Sequence, residues 1–216
     1  GRLVAGVGIG SESPNEYSAM GAKKSERGDR LNQSIEIMRL LWAEDTVTYR
    51  GKYVNLEGVG IAPRPLKGGV PIWIGGSSPA ALERTALLGD GWLPSQITPK
   101  EIKEYLPWIH ERSDKFGRQI PEDHYGALLR CYIVEKGEVP FEKIRPYLLS
   151  RRSDVGLNEL HLLGSPEQVA SRLQEFIDAG ATKFVFAPAC GIEELSNQME
   201  LQAELIVKYF HAKYKE

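Results

Sequence analysis

The segment best equipped to hold an anion is Ile72-Trp73-Ile74-Gly75-Gly76-Ser77-Ser78-Pro79-Ala80. An apolar strand-like run passes through two glycines into a serine–proline pair that starts a helix well: serine as N-cap, proline as first helical residue. Glycines let backbone N–H groups approach a ligand closely. A helix start adds unpaired donors and partial positive charge, and two hydroxyls supply more. That set suits a phosphate monoester. The same residues also satisfy a plain structural reading, in which Ser78 caps the helix and Gly75 and Gly76 make a tight turn. The spacing matches neither a P-loop nor G-x-G-x-x-G, so it leaves both readings open.

A second candidate is Gly6-Val7-Gly8-Ile9-Gly10 with Asn15-Glu16-Tyr17 after it. Glycines at a strand's end present flat backbone against which a planar ring can stack, and the following loop offers Ser11, Glu12, Asn15 and Glu16. Glu12 and Glu16 lie too close in the chain for an acid/base pair to be read from spacing. Other chemistries find little support. His110, His124, His161 and His211 are scattered, without metal-ligand spacing. Cys131 and Cys190 make no disulfide framework, and no G-x-S-x-G elbow occurs. Trp42, Trp73, Trp92 and Trp108 read as core or rim. Lys143, Arg145, Arg151 and Arg152 read as a solvated helix face, with an anion or partner contact as the alternative.

These candidates must be carried by regular elements. Leu3–Ile9, Val70–Ile74, Gly91–Pro94, Ala127–Val134 and Lys183–Pro188 read as apolar strands. Between them lie helical patterns: 25–43, 79–88 closed by Gly89, 100–116, 141–152, 166–179 behind the capping box Ser165-Pro166-Glu167-Gln168, and 193–209. Thr46–Tyr49 and Tyr53–Leu56 read as a hairpin. Pro107 and Pro146 are expected to kink or split their helices. Strand–helix alternation with apolar strands means an α/β fold with a covered parallel sheet, either doubly wound or a closed barrel. Five units are too few to close eight strands. No linker or repeat divides the chain, so a single domain over 1–216 is expected.

Composition narrows the classes. Of 216 residues 42% are apolar, and 27 basic side chains meet 29 acidic ones for a formal charge of −2. That balance gives no general grip on nucleic acid or on an acidic membrane face. No apolar run reaches the ~18–20 residues needed to cross a bilayer. The expected setting is the cytoplasm.

The motifs in order resemble the luciferase-like flavin oxidoreductases. Gly1-Arg2-Leu3 leads to Gly6-Val7-Gly8-Ile9-Gly10, Asn15-Glu16-Tyr17 and Met20-Gly21, then Glu26-Arg27, Arg30-Leu31, 35–39 and Leu41-Trp42. The resemblance runs on through 49–53, Pro63-Arg64-Pro65, 71–79, Leu88-Gly89-Asp90-Gly91-Trp92, 164–169 and Ala179-Gly180-Ala181. It implies a (β/α)8 TIM barrel of the bacterial-luciferase type, holding FMN or the deazaflavin coenzyme F420. It places the cofactor phosphate at Gly75, Gly76, Ser77 and Ser78. Gly8, Gly10 and Asn15 become cofactor contacts resembling the deazaflavin-using branch, and Glu12 an acid toward substrate or product. One extra residue in that loop leaves Ser11 and Glu12 competing for this position. Family members carry about three β/α units before the Gly-Arg-Leu segment. The barrel is therefore expected to be N-terminally incomplete here, as the remainder of a longer protein rather than one completed by a partner.

The function so implied is oxidoreduction of a small organic substrate: hydride transfer with F420, or monooxygenation with FMN supplied by a separate flavin reductase. A homo-oligomer is expected, with no metal, nucleic acid or membrane. A non-catalytic flavin-binding protein of the same fold is the alternative. An isomerase or aldolase barrel that binds phosphate is a third reading, with no suitably placed lysine or glutamate behind it.

Overall fold

The computed structural model of the chain describes residues 2–10, 13–66, 69–148 and 152–210. They form two compact units, residues 1–93 with 109–124 and residues 94–108 with 125–216.

The first unit opens with β1 (Ala5–Val7), α1 (Pro14–Ala19) and α2 (Arg27–Ala43), the last entered through a 3-10 turn at Lys24–Glu26. The helix α1 lies where the sequence reading placed a polar loop. Pro14 sits at its first position behind the extended Ser13, the same local start used at Ser78-Pro79. The hairpin follows as β2 (Val47–Arg50) and β3 (Asn55–Val59), antiparallel, with Tyr49 opposite Leu56. Then come β4 (Ile72–Ile74), α3 (Pro79–Leu88) and the two-residue β5 (Gly91–Trp92).

The three strands β1, β4 and β5 are parallel, with β4 in the middle. Val7 lies opposite Ile74, and Ile74 opposite Trp92, so all three strands end level. Every β4 side chain is buried, as the middle strand of a covered sheet demands. Ile35, Ile72 and Ile74 form the core here, with Leu31, Met38 and Trp42 of α2 packed against it. Burial of each isoleucine is worth roughly 1.5–3 kcal/mol. The α2–α3 contact is fixed by the buried Arg84, whose Nε donates to Asn32 Oδ1 at 2.5 Å. At the start of β4, Asp90 accepts from Ile72 N at 3.0 Å and from Arg39 at 2.8 Å.

Helix α4 (Pro99–Lys115) begins in the second unit and ends in the first. It is one helix in spite of Pro107. The carbonyl of Lys103, which Pro107 leaves without its helical partner, belongs to an exposed residue, while Ile102, Leu106 and Ile109 are buried.

The second unit continues with β6 (Gly126–Ile133), α5 (Phe141–Leu148), α6 (Leu157–Leu160), β7 (Leu162–Gly164), α7 (Pro166–Asp178), β8 (Lys183–Pro188) and α8 (Leu195–Tyr209). Pro146 lies inside α5 without splitting it, since Ile144 and Leu148 are buried on its inner face. The strands are parallel in the order β7-β6-β8. The described residues thus hold six parallel strands, one more than the periodicity implies. The extra one is β7. Beyond the last pairing of β6 with β8, at Cys131 and Pro188, the Gln198 side chain takes over. Its Oε1 accepts from Ile133 N at 2.8 Å and its Nε2 donates to Ile133 O at 2.9 Å.

Candidate functional site

The level ends of β1, β4 and β5 bring the two glycine-rich segments together. Gly75 N donates to Val7 O at 2.8 Å, so Gly8 and the Gly75-Gly76 turn leave adjacent strands side by side. Leu93 N donates to Ile74 O at 2.9 Å on the other flank. The Gly75 amide is therefore part of the sheet. What distinguishes Gly75 is its missing side chain, since a Cβ there would stand 3.4 Å from Val7 O and 3.7 Å from Leu93 O, over the strand ends.

Past Gly75 the chain turns sharply. Gly76 has φ +92°, a conformation side chains disfavour, and its carbonyl accepts from Trp92 Nε1 at 2.8 Å. Ser78 caps α3 as its sequence implied: its hydroxyl oxygen accepts from Ala81 N at 3.3 Å. As an acceptor there, that hydroxyl keeps its own proton to donate elsewhere. Among the described residues the amides of Gly76, Ser77 and Ala80 donate to no protein group. Gly76, Ser78 and Ala80 are exposed and Ser77 is half-buried. No acidic residue lies in the first turn of α3. The positive end of that ten-residue helix is thus left without a carboxylate.

The other glycines lie across the strand end. A Cβ at Gly8 would meet nothing within 4 Å, so the space above that backbone is open. Gly10 takes φ +80°. The segment is held by Tyr17, whose hydroxyl donates to Ile9 O at 3.4 Å and accepts from Arg27 Nη1 at 3.0 Å. Asn15 is exposed in the first turn of α1, and among the described residues it makes no hydrogen bond to the Gly75–Ser78 turn. Ser11 and Glu12 lie outside the described residues.

Sequence reasoning missed two side chains that shape this place. Trp92 was read as core or rim, and it is fully buried, yet its N–H reaches the turn. A buried indole needs an acceptor, which was the available signal. Tyr17 carried no such signal, because its partners depend on how the chain returns after β1. The second unit holds a separate polar group: Glu194 Oε1 accepts from Tyr132 at 3.3 Å and from Lys143 at 2.5 Å. Burial first, then the Glu194 charge, raises the Tyr132 hydroxyl above its ordinary value. Among the described residues no group of His, Cys, Asp and Glu is arranged to hold a metal ion. No described helix is long and apolar enough to cross a membrane.

Known proteins match this architecture. The chain is 33% identical to an F420-dependent glucose-6-phosphate dehydrogenase of Nocardia farcinica, over 86% of this chain and 63% of that protein. The chain spans about half the length of the curated relatives it matches, from 36% to 63%. A monooxygenase of Streptomyces bottropensis superposes with a TM-score of 0.76 at 23% identity, over 97% of this chain and 69% of that one. The coenzyme F420-dependent tetrahydromethanopterin reductase of Methanopyrus kandleri superposes with a TM-score of 0.72 at 18% identity, over 100% and 75%. Identities this low speak to fold alone, and the fold is of the luciferase-like, TIM-barrel type. The family model of the luciferase-like monooxygenases matches residues 1–153, where both glycine segments lie, and the chain belongs to that family.

Proposed function

We propose that this chain is the part of an oxidoreductase that anchors the phosphate of FMN or coenzyme F420, with its ring over the glycines that follow β1. One observation carries the reading: a strand–turn–helix whose outward amides and hydroxyls are left open, at a helix start without an acid. Those residues fit a phosphate. Gly76, Ser77 and Ala80 would offer N–H groups, Ser77 and Ser78 hydroxyl protons, and α3 its partial positive charge. Gly8 and Gly10 would leave room for a flat ring, with Asn15 as a cofactor contact and Glu12 as the acid toward substrate or product.

When bound, the cofactor supplies the electron chemistry, as hydride transfer for F420 or as monooxygenation for FMN reduced by a separate reductase. The chain's own residues bind the phosphate tail, orient the ring by fixing that tail, and through Glu12 hold a proton near the reacting substrate. The name of the Nocardia farcinica relative and the Gly-x-Gly…Asn-Glu segment support F420 of the two. The substrate would be a small organic molecule.

The test is direct. Ligand released from the purified full-length protein is identified by mass spectrometry, and FMN and F420 are titrated by fluorescence. Binding of either ring, with consumption of its reduced form on addition of substrate, supports the proposal. A colourless protein that binds neither ring overturns it. Binding without turnover would instead mark a cofactor-binding protein.

A further inference from the structure

We infer that Trp92 is a positioning residue that sets the polarity of the phosphate cradle, turning it into a site for anions by holding one carbonyl out of it. The inference rests on the cofactor reading above. It begins with the peptide between Gly76 and Ser77. A trans peptide points its C=O and N–H in opposite directions. The Gly76 carbonyl accepts the Trp92 indole N–H at 2.8 Å, so the Ser77 N–H is aimed away from the buried indole, out of the protein. Gly76, at φ +92°, has no side chain to oppose a rotation of this peptide. The peptide two before it, between Ile74 and Gly75, is already fixed at both ends, by Leu93 N and by Val7 O. The Gly76–Ser77 peptide lies outside the sheet, and the indole is the protein group that fixes its carbonyl.

Loss of that one N–H has two consequences for an anion. The Ser77 N–H is no longer held outward, and a flipped peptide would turn the Gly76 carbonyl oxygen toward the phosphate. A donor is thereby exchanged for an acceptor at the same place. The apolar environment of Trp92, which is 0% exposed, adds weight, because its N–H has no water to fall back on and holds the carbonyl firmly.

The experiment compares two ligands that differ only in the phosphate: FMN is measured against riboflavin, in the full-length protein and in Trp92→Phe. Thermal unfolding and circular dichroism establish that the variant is folded. Since Phe leaves a void, a second variant carries β-(3-benzothienyl)alanine at position 92, which keeps the indole shape and lacks only the N–H. The expected result is an affinity for the phosphate-bearing ligand reduced about tenfold in both variants, with the phosphate-free ligand unaffected. Equal weakening of both ligands, or a phosphate preference unchanged in the benzothienyl variant, overturns the role of Trp92. A wild-type protein that binds rings without preferring the phosphate overturns the cradle itself, and with it this inference.

Discussion

The turns after β4 and after β7 start from the same local recipe and end in opposite states. Each passes from a buried strand through glycine to a Ser-Pro pair that opens a helix, with the serine as N-cap. After β7 the helix start is closed by its own side chains. Ser165 accepts from Gln168 N, its N–H donates to Gln168 Oε1 at 2.8 Å, and its hydroxyl donates to Glu167 at 3.0 Å. The Gln168 side chain fills the space where a Cβ on Gly164 would go, and Glu167 places negative charge in the first turn. After β4 an alanine stands at the position equivalent to Glu167, and another at the position equivalent to Gln168. Capping chemistry alone therefore does not make a ligand site. What distinguishes the turn after β4 is the absence of the side chains that would have occupied it.

That contrast can be broken. Gly75→Asp puts a carboxylate into the open turn, and is expected to weaken FMN or F420 by roughly 100-fold while the fold persists, since like charges set together cost several kcal/mol. Titration calorimetry reads this, and unchanged affinity would remove the turn from the site.

The region leading into the closed turn carries its own pH weakness. His161 precedes β7, is buried, and has no hydrogen-bond partner on either ring nitrogen; burial, helped by Arg130, pushes it down to about 4. Between the ordinary imidazole range and about pH 4 the unfolded chain binds a proton that the folded one refuses, so stability falls as pH drops through that window. The contribution is of order 2 kcal/mol. Denaturant titrations at pH 7 and pH 4.5 should show it, and His161→Phe should flatten the slope. An unchanged slope in the variant would refute it.

A transplant sharpens the comparison further. Ala80→Glu copies Glu167 into the exposed first turn of α3. It should raise the unfolding free energy slightly, by about a few tenths of a kcal/mol, and lower affinity for the phosphate-bearing cofactor about tenfold. The smallest effect belongs to the closed turn: Ser165→Ala should lose about 1 kcal/mol of stability and leave cofactor affinity untouched. Reduced cofactor affinity in that variant would show that the two turns are not independent.

Capping was legible in the sequence because it is chemistry between residues three apart. Ser78-Pro79 and Ser165…Gln168 both start the helices they announce. The Ser13-Pro14 start of α1 has the same form but goes unannounced by periodicity, because a six-residue helix leaves no periodic trace. Pro107 and Pro146 divide neither of their helices, so the splitting that the sequence allows does not occur. A proline's missing donor counts for little where the abandoned carbonyl sits on an exposed turn and the opposite face is packed. The glycine segments were visible as candidates, but their side-by-side placement depends on the β1–β4 register. The hold of Trp92 on Gly76 joins residues 16 apart in sequence and could be found only once the strands were aligned.

The strand β6 outruns its neighbour β8, and the amide of Gln198 meets the excess. By offering both an acceptor and a donor to Ile133, one glutamine of α8 imitates a residue of the missing strand. A stretch of bare ladder would otherwise recruit whatever extended peptide came by. Here the helix supplies a stopper, and the sheet ends at that point by satisfaction rather than by exposure.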